Sequence, residues 1–423
     1  MDMHAKAGSA RRKGRTLGEA LARLVTRIAK ARGVGPRAGL LGLVLAGVLA
    51  VLGLAGPTQA QSEPAKVYAF TLDGWFGKDV SETPIAECLE EARQLEADYI
   101  IITVDTDWYQ FGDPLKSELP EDVIGQFDQF FRTKKMAPLF QEQMLTWKKK
   151  PKVVFWVKQA MGGAAFLPFM SDTMYFHPEG KIGGIQGIYV MFGEQGDRVV
   201  IEKQISLRLT TAQGIAIQNG YEPKLIEAMT RGDYVLSYKL EGGRPVYLER
   251  EPQSPDEFLL TNNALQEDNR DTIEDLARGR GVNWLTLKAD IAQILGVSKG
   301  TVETMDDLLF ELGILRNHVM VGNGDKIMDD WSASVKRAEE ALSRLFKEYN
   351  EIQVQGDWNE RRRARGQQRA KLQQMIGILQ RYEEAIIPWQ IPGFIQAGSA
   401  TQLIPVFRRQ LQRIELEQLA DER

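Results

Sequence analysis

The sequence predicts an α/β layered domain followed by a helical C-terminal extension, and three observations predict it. Short apolar runs of strand character, at residues 67–72, 99–104 and 152–157, alternate with stretches whose apolar residues recur at helical spacing. The first strand, helix, strand order implies a parallel βαβ unit with a right-handed crossover. Beyond about Asp325 the composition shifts to long helices dense in Arg, Glu and Gln.

Within the first unit, residues 67–72 read as a buried strand, Ile85, Cys88, Leu89, Ala92 and Leu95 as the apolar face of a helix, and residues 99–104 as a second strand. From about Glu121 to Trp147 the pattern is helical, with Val123, Ile124, Phe127, Phe130 and Phe131 on one face and a break near Pro138. The strand at 152–157 leads into an expected helix over 162–170 and a short strand at 173–176. Helices follow at 201–218 and 223–230, and Gly242-Gly243 centres a β-hairpin over 234–249. Residues 283–288 open a final turn and helix ending near Gly313. In the extension, Val335, Ala338, Leu342, Leu345, Phe346, Tyr349 and Ile352 form one apolar stripe and Leu372, Met375, Ile376, Leu379 and Tyr382 another. An antiparallel helical hairpin is the expectation, with a last amphipathic helix from about Leu403 to Leu419.

Bulk properties narrow the function classes. The 423 residues carry a formal net charge of −4, which argues against a chain built to coat nucleic acid. One cysteine, Cys88, excludes an intramolecular disulfide framework, and three histidines without a Cys/His cluster leave no metal site of the usual zinc type. No cofactor is indicated. Ten basic residues between Lys6 and Arg37 precede an uncharged apolar run at 38–56 and then Pro57-Thr58-Gln59-Ala60-Gln61. That order is expected to direct export, with cleavage after Ala60; the run also approaches the length of an uncleaved membrane anchor. Either way the folded part is expected in the periplasm or on the outer face of the cytoplasmic membrane.

The segment Ala160-Met161-Gly162-Gly163-Ala164-Ala165-Phe166-Leu167-Pro168-Phe169-Met170-Ser171-Asp172 follows a strand-like run. In frame and spacing it resembles the nucleophile segment of the ClpP/crotonase superfamily, in particular the exported serine peptidases of the signal peptide peptidase A and NfeD type. Other anchors keep the same order. Asp105-Thr106 closes the second strand, Pro178 and Gly183 fall six and eleven residues after Asp172, and Leu285-Thr286 through Leu295-Gly296 to Asp307-Leu308-Leu309 matches the closing pattern. The resemblance covers about Val67 to Leu315. It implies a ClpP/crotonase-like spiral of βαβ units over residues 61–324, after an N-terminal segment at 1–60 and before a helical, coiled-coil-like extension at 325–423.

In that family a Ser attacks the peptide carbonyl, a Lys takes its proton, and backbone N–H groups hold the oxyanion. By the same resemblance Gly162 occupies the nucleophile position, Gly162, Gly163 and Trp108 fall on the oxyanion and substrate side, and Lys203 matches the general base. Asp107-Trp108-Tyr109 stands where the family has Pro-Gly-Gly. Lys203 without a Ser partner reads first as a solvated helix residue, and Ser171 as a small packed residue. Crotonases carry Ala-Leu-Gly-Gly-Gly at this place, which Ala160-Met161-Gly162-Gly163-Ala164 resembles, but their acids would fall on Phe166 and Gln186, which move no proton.

The resemblance therefore implies a catalytically degenerate peptidase homologue that binds polypeptide or an envelope partner, as a homo-oligomer and possessing no nucleic-acid role. An active Ser/Lys endopeptidase with another nucleophile and a purely structural oligomer-forming protein are the alternatives. A helix-turn-helix match at 290–302, the glycines at 180–187, the basic run Arg361-Arg362-Arg363-Ala364-Arg365 and His177 all read as structural features.

Overall fold

Strand β1 (Ala65–Trp75) pairs in parallel with β2 (Tyr99–Asp107), β2 with β3 (Lys152–Met161), and β3 with β4 (Met174–Gly183). These belong to a computed structural model that describes residues 63–107, 130–185, 197–263, 271, 275, 280–395, 397 and 399–421. The expected signal or anchor at 1–60, Trp108 and Gln186 lie outside the described residues.

Consecutive parallel strands lie side by side, so the βαβ turns wind steadily in one direction. Helix α1 (Glu82–Gln94) joins β1 to β2, and α2 (Phe130–Gln141) lies between β2 and β3. Antiparallel β8 (Leu287–Lys288) closes the β4 edge and parallel β9 (His318–Val321) the β1 edge, giving the order β8-β4-β3-β2-β1-β9. The α/β class expected from the sequence is the class observed. Ile100, Ile101 and Ile102 are all fully buried because both faces of the sheet are covered, as a parallel strand requires. One face packs on α1, α2 and α3 (Arg198–Gln218) through Ile85, Phe140 and Ala216. The other packs at its amino end on α6 (Met305–Glu311) through Leu308 and Leu309. After α4 (Pro223–Thr230), the hairpin β5 (Leu236–Glu241) and β6 (Arg244–Leu248) turns at Gly242 and Gly243, both at positive φ, and β7 (Glu257–Thr261) adds a third strand.

The structure corrects four local expectations. Residues 162–170 form two 3₁₀ turns, Gly162–Phe166 and Pro168–Met170, instead of one helix. Pro168 has no N–H to offer the Ala164 carbonyl, which accepts instead from Leu167 N at 3.0 Å and tightens the turn. The strand at 173–176 continues to Gly183. Helix α2 runs through Pro138 to Gln141. The expected helix ending near Gly313 divides into α5 (Ala289–Ile294) and α6, because Gly296 at φ +71° stops the first and a Thr304/Asp307 capping box starts the second.

Helices α7 (Gly324–Glu351), α8 (Trp358–Arg381) and α9 (Ala400–Asp421) share a core of Leu342, Leu345, Leu372, Met375, Leu379 and Phe407. The two predicted stripes meet there, and α9 completes a three-helix bundle. Among the described residues no helix is long and apolar enough to cross a membrane.

Candidate functional site

Strand β3 is hydrogen-bonded on both sides and ends at Met161 on the carboxyl edge of the sheet, the edge at which open α/β sheets bind ligands. Gly162, the next residue, has φ +61°, and both Gly162 and Gly163 are buried. An L side chain held in that conformation costs about 1–2 kcal/mol. Thr133 on α2 fastens the turn: its buried hydroxyl donates to the Gly163 carbonyl at 2.9 Å. Towards β2, Thr106 Oγ1 donates to the Gln159 carbonyl and Gln159 Nε2 to the Thr106 carbonyl, each at 3.2 Å, where the β2–β3 register shifts. Towards β4, Met161 is the register partner of Gly183, where a Cβ would stand 2.7 Å from Thr286 Cα. Glycine at 183 thus lets the backbones of β4 and of Leu285-Thr286 approach each other beside the end of β3.

Of the residues the sequence nominates, Gly162 and Gly163 form the turn. Lys203 lies on α3 with its side chain exposed, and no hydrogen bond joins it to the turn among the described residues. Ser171 donates to the Val153 carbonyl at 2.7 Å and accepts from Thr173 N at 3.1 Å. Val153 lies at the amino end of β3, roughly 30 Å from Gly162 at about 3.3 Å per residue. Among the described residues the other buried serines are likewise engaged: Ser81 donates to Glu384, Ser237 to Arg250 O and Ser298 to Gly300 O. Phe166 is buried edge-on against Phe130, and His177 Nδ1 accepts from Glu179 N at 3.2 Å in a local turn.

Sequence reasoning missed a charged group on the opposite sheet face. There the apolar amino half, Val67, Ile101, Val154 and Tyr175, gives way to Asp73, Asp105, Lys158 and His177 near the carboxyl edge. Asp73 and Asp105 are register partners, and Lys158 Nζ stands 5.0 Å from the Trp156 ring centre. Burial raises the Asp105 pKa; Lys158 opposes the rise, Asp73 adds to it and His177 opposes it. The usable signal was the shared parity of Ile101, Thr103 and Asp105 along one strand. Among the described residues no group of three or more His, Cys, Asp or Glu is placed to hold a metal ion.

A raised folded pKa means that the native state binds more protons than the unfolded chain above the unfolded value of about 3.9. Stability contributed by this group is present below that value and falls as pH rises through the folded pKa. Asp105→Asn is therefore expected to stabilise the protein at pH 7, by less than about 1 kcal/mol because the residue is partly open to solvent, which screens the charge. The gain should vanish near pH 3.5. Urea midpoints at the two pH values check this, and a loss of stability at pH 7 would contradict it.

No family model and no curated protein sequence matches the chain. Similar solved structures include the 1510-N membrane-bound stomatin-specific protease as a serine-to-alanine mutant, at 14% identity over 59% of this chain and 84% of that one, TM-score 0.32. The lysine-to-alanine mutant in complex with a substrate peptide gives 13% identity over 64% and 99%, TM-score 0.36. The 1510-N membrane protease specific for a stomatin homolog from Pyrococcus horikoshii gives 12% over 63% and 97%, TM-score 0.33.

Proposed function

We propose that this chain is a peptidase homologue on the ClpP/crotonase frame that binds polypeptide, or an envelope protein partner, at the Gly162–Gly163 edge without cleaving it. The observation that carries the reading is Gly162: a buried, left-handed glycine heads the turn where the sequence resemblance places the nucleophile. Covalent peptide hydrolysis needs a hydroxyl or thiol paired with a base, and glycine brings neither. Exposed Lys203 and the structural hydrogen bonds of the buried serines support the same reading. Binding an extended chain needs backbone groups and pockets for its side chains, and no nucleophile. Export, anchoring through residues 38–56 and self-assembly belong to the same proposal, on the strength of the N-terminal pattern and the helical extension.

The test is treatment of the full chain with a fluorophosphonate probe, alongside a casein cleavage assay. No specific serine labelling and no cleavage are expected. Labelling of one serine, abolished by its replacement and slowed by Lys203→Ala, would overturn the reading in favour of an active Ser/Lys peptidase.

A further inference from the structure

The C-terminal bundle grips the loop that leaves the carboxyl end of β1. Trp331 Nε1 on α7 donates to the Lys78 carbonyl at 2.9 Å, and the Lys78 ammonium pairs with Glu339 on the same helix at 2.7 Å, both side chains less than a fifth exposed. From the turn after α8, the Glu384 carboxylate accepts from Ser81 Oγ at 3.1 Å and from Thr83 N at 3.0 Å. Ser81 is the N-cap of α1 yet makes no side-chain cap of its own. Glu384, 301 residues beyond Thr83 in sequence, therefore caps α1 from outside.

Arg132 on α2 ties the two contacts together. Its guanidinium donates to the carbonyls of both Gly77 and Glu384. Gly77, at φ +91°, leaves no space for a side chain because a Cβ there would overlap that guanidinium. The neighbouring residue on α2, Thr133, holds the Gly163 carbonyl. The path from the bundle to the candidate site thus runs from Glu384 to Arg132, along one peptide bond to Thr133, and on to Gly163.

We infer that Arg132 is a positioning residue: the docked C-terminal bundle, acting through Glu384 and Arg132, holds α2 where Thr133 fixes the Gly162–Gly163 turn. Ordering of the turn and docking of the bundle are then linked equilibria. Because such linkage is reciprocal, a partner that pulls on the bundle loosens the turn, and a polypeptide seated at the turn tightens the bundle. The regulatory part rests on the reading that the turn is the binding site; the mechanical coupling does not.

Amide hydrogen exchange of the ligand-free full chain, read by mass spectrometry, tests the coupling even if no polypeptide binds. Arg132→Ala, which loses the bonds to both the Gly77 and the Glu384 carbonyls, is expected to speed exchange about tenfold in peptides covering 162–167, whereas Glu384→Ala keeps its main-chain carbonyl and is expected to speed exchange about tenfold at 81–85, where its carboxylate bonds are lost. Arg132→Lys, which keeps a charged donor, should fall between wild type and Arg132→Ala, and Glu384→Gln should give a milder form if the alanine variant folds poorly. Ile414→Ala, a cavity deep in the bundle core, should speed exchange in α9 and leave 162–167 at the wild-type rate. Exchange at 162–167 left at the wild-type rate in Arg132→Ala, or an equal rise at 162–167 in Ile414→Ala, would overturn the inference. Loss of polypeptide binding with the coupling intact would instead remove only the proposed function.

Discussion

Phe155→Ala is expected to cost about 3–5 kcal/mol of stability, enough to leave a chain of ordinary stability marginal. Phe155 is fully buried in the middle of β3, in register with Ile102 on β2 and Met174 on β4, and its ring lies 5.9 Å from that of Phe140 on α2. The cavity would open between the strand that delivers Gly162 and the helix that carries Thr133. Both can relax only by giving up contacts elsewhere, so the loss should exceed the transfer energy of the ring alone. The measurement is the urea midpoint at unchanged slope. A loss below about 1 kcal/mol would mean that α2 does not pack on β3 as described.

The second large effect is expected at the root of the bundle. A Cβ on Gly324 would stand 2.7 Å from the Ala69 carbonyl oxygen and 2.7 Å from Phe70 Cβ, so Gly324→Val must lift the first turn of α7 off β1. Lifting it breaks the bond from Thr71 N to Asp325 at 2.7 Å and that from Asn323 N to Glu91 at 3.0 Å. We expect a loss of about 1–3 kcal/mol from overpacking, with the tryptophan fluorescence of the Trp331 region changing before the sheet unfolds. Global unfolding in one step at the wild-type midpoint would show that this contact is dispensable.

The parts of this molecule that were legible in its sequence are those set by periodicity. The Ile100–Ile102 run announced a strand covered on both faces, and the stripes from Val335 to Leu345 and Leu372 to Leu379 announced two helices packed together. Strands β7 and β9 escaped notice because five and four residues are too few for a pattern, and each is a strand only by virtue of the neighbour it pairs with. The candidate site was legible as a stretch of sequence and not as a geometry. Gly162 could be picked out from its neighbours, whereas its 3₁₀ turn depends on Pro168 and its tether on Thr133, thirty residues earlier. Lys203 was correctly placed on a helix, but which way that helix faces is a property of the packed fold. The pairing of Asp73 with Asp105 arises only when two strands come into register.

The seam between β1 and β9 sets an order of events for a chain emerging from its N-terminus. Lys66 and Tyr68 wait for Val319 and Val321 to complete their strand pairing, and the Thr71 amide waits for Asp325, 254 residues later. Closing so long a loop adds little to the equilibrium cost and much to the time taken. Until about three quarters of the polypeptide has been made, β1 therefore has one open edge, and the seam is the last stitch of the sheet, closed before the bundle is complete.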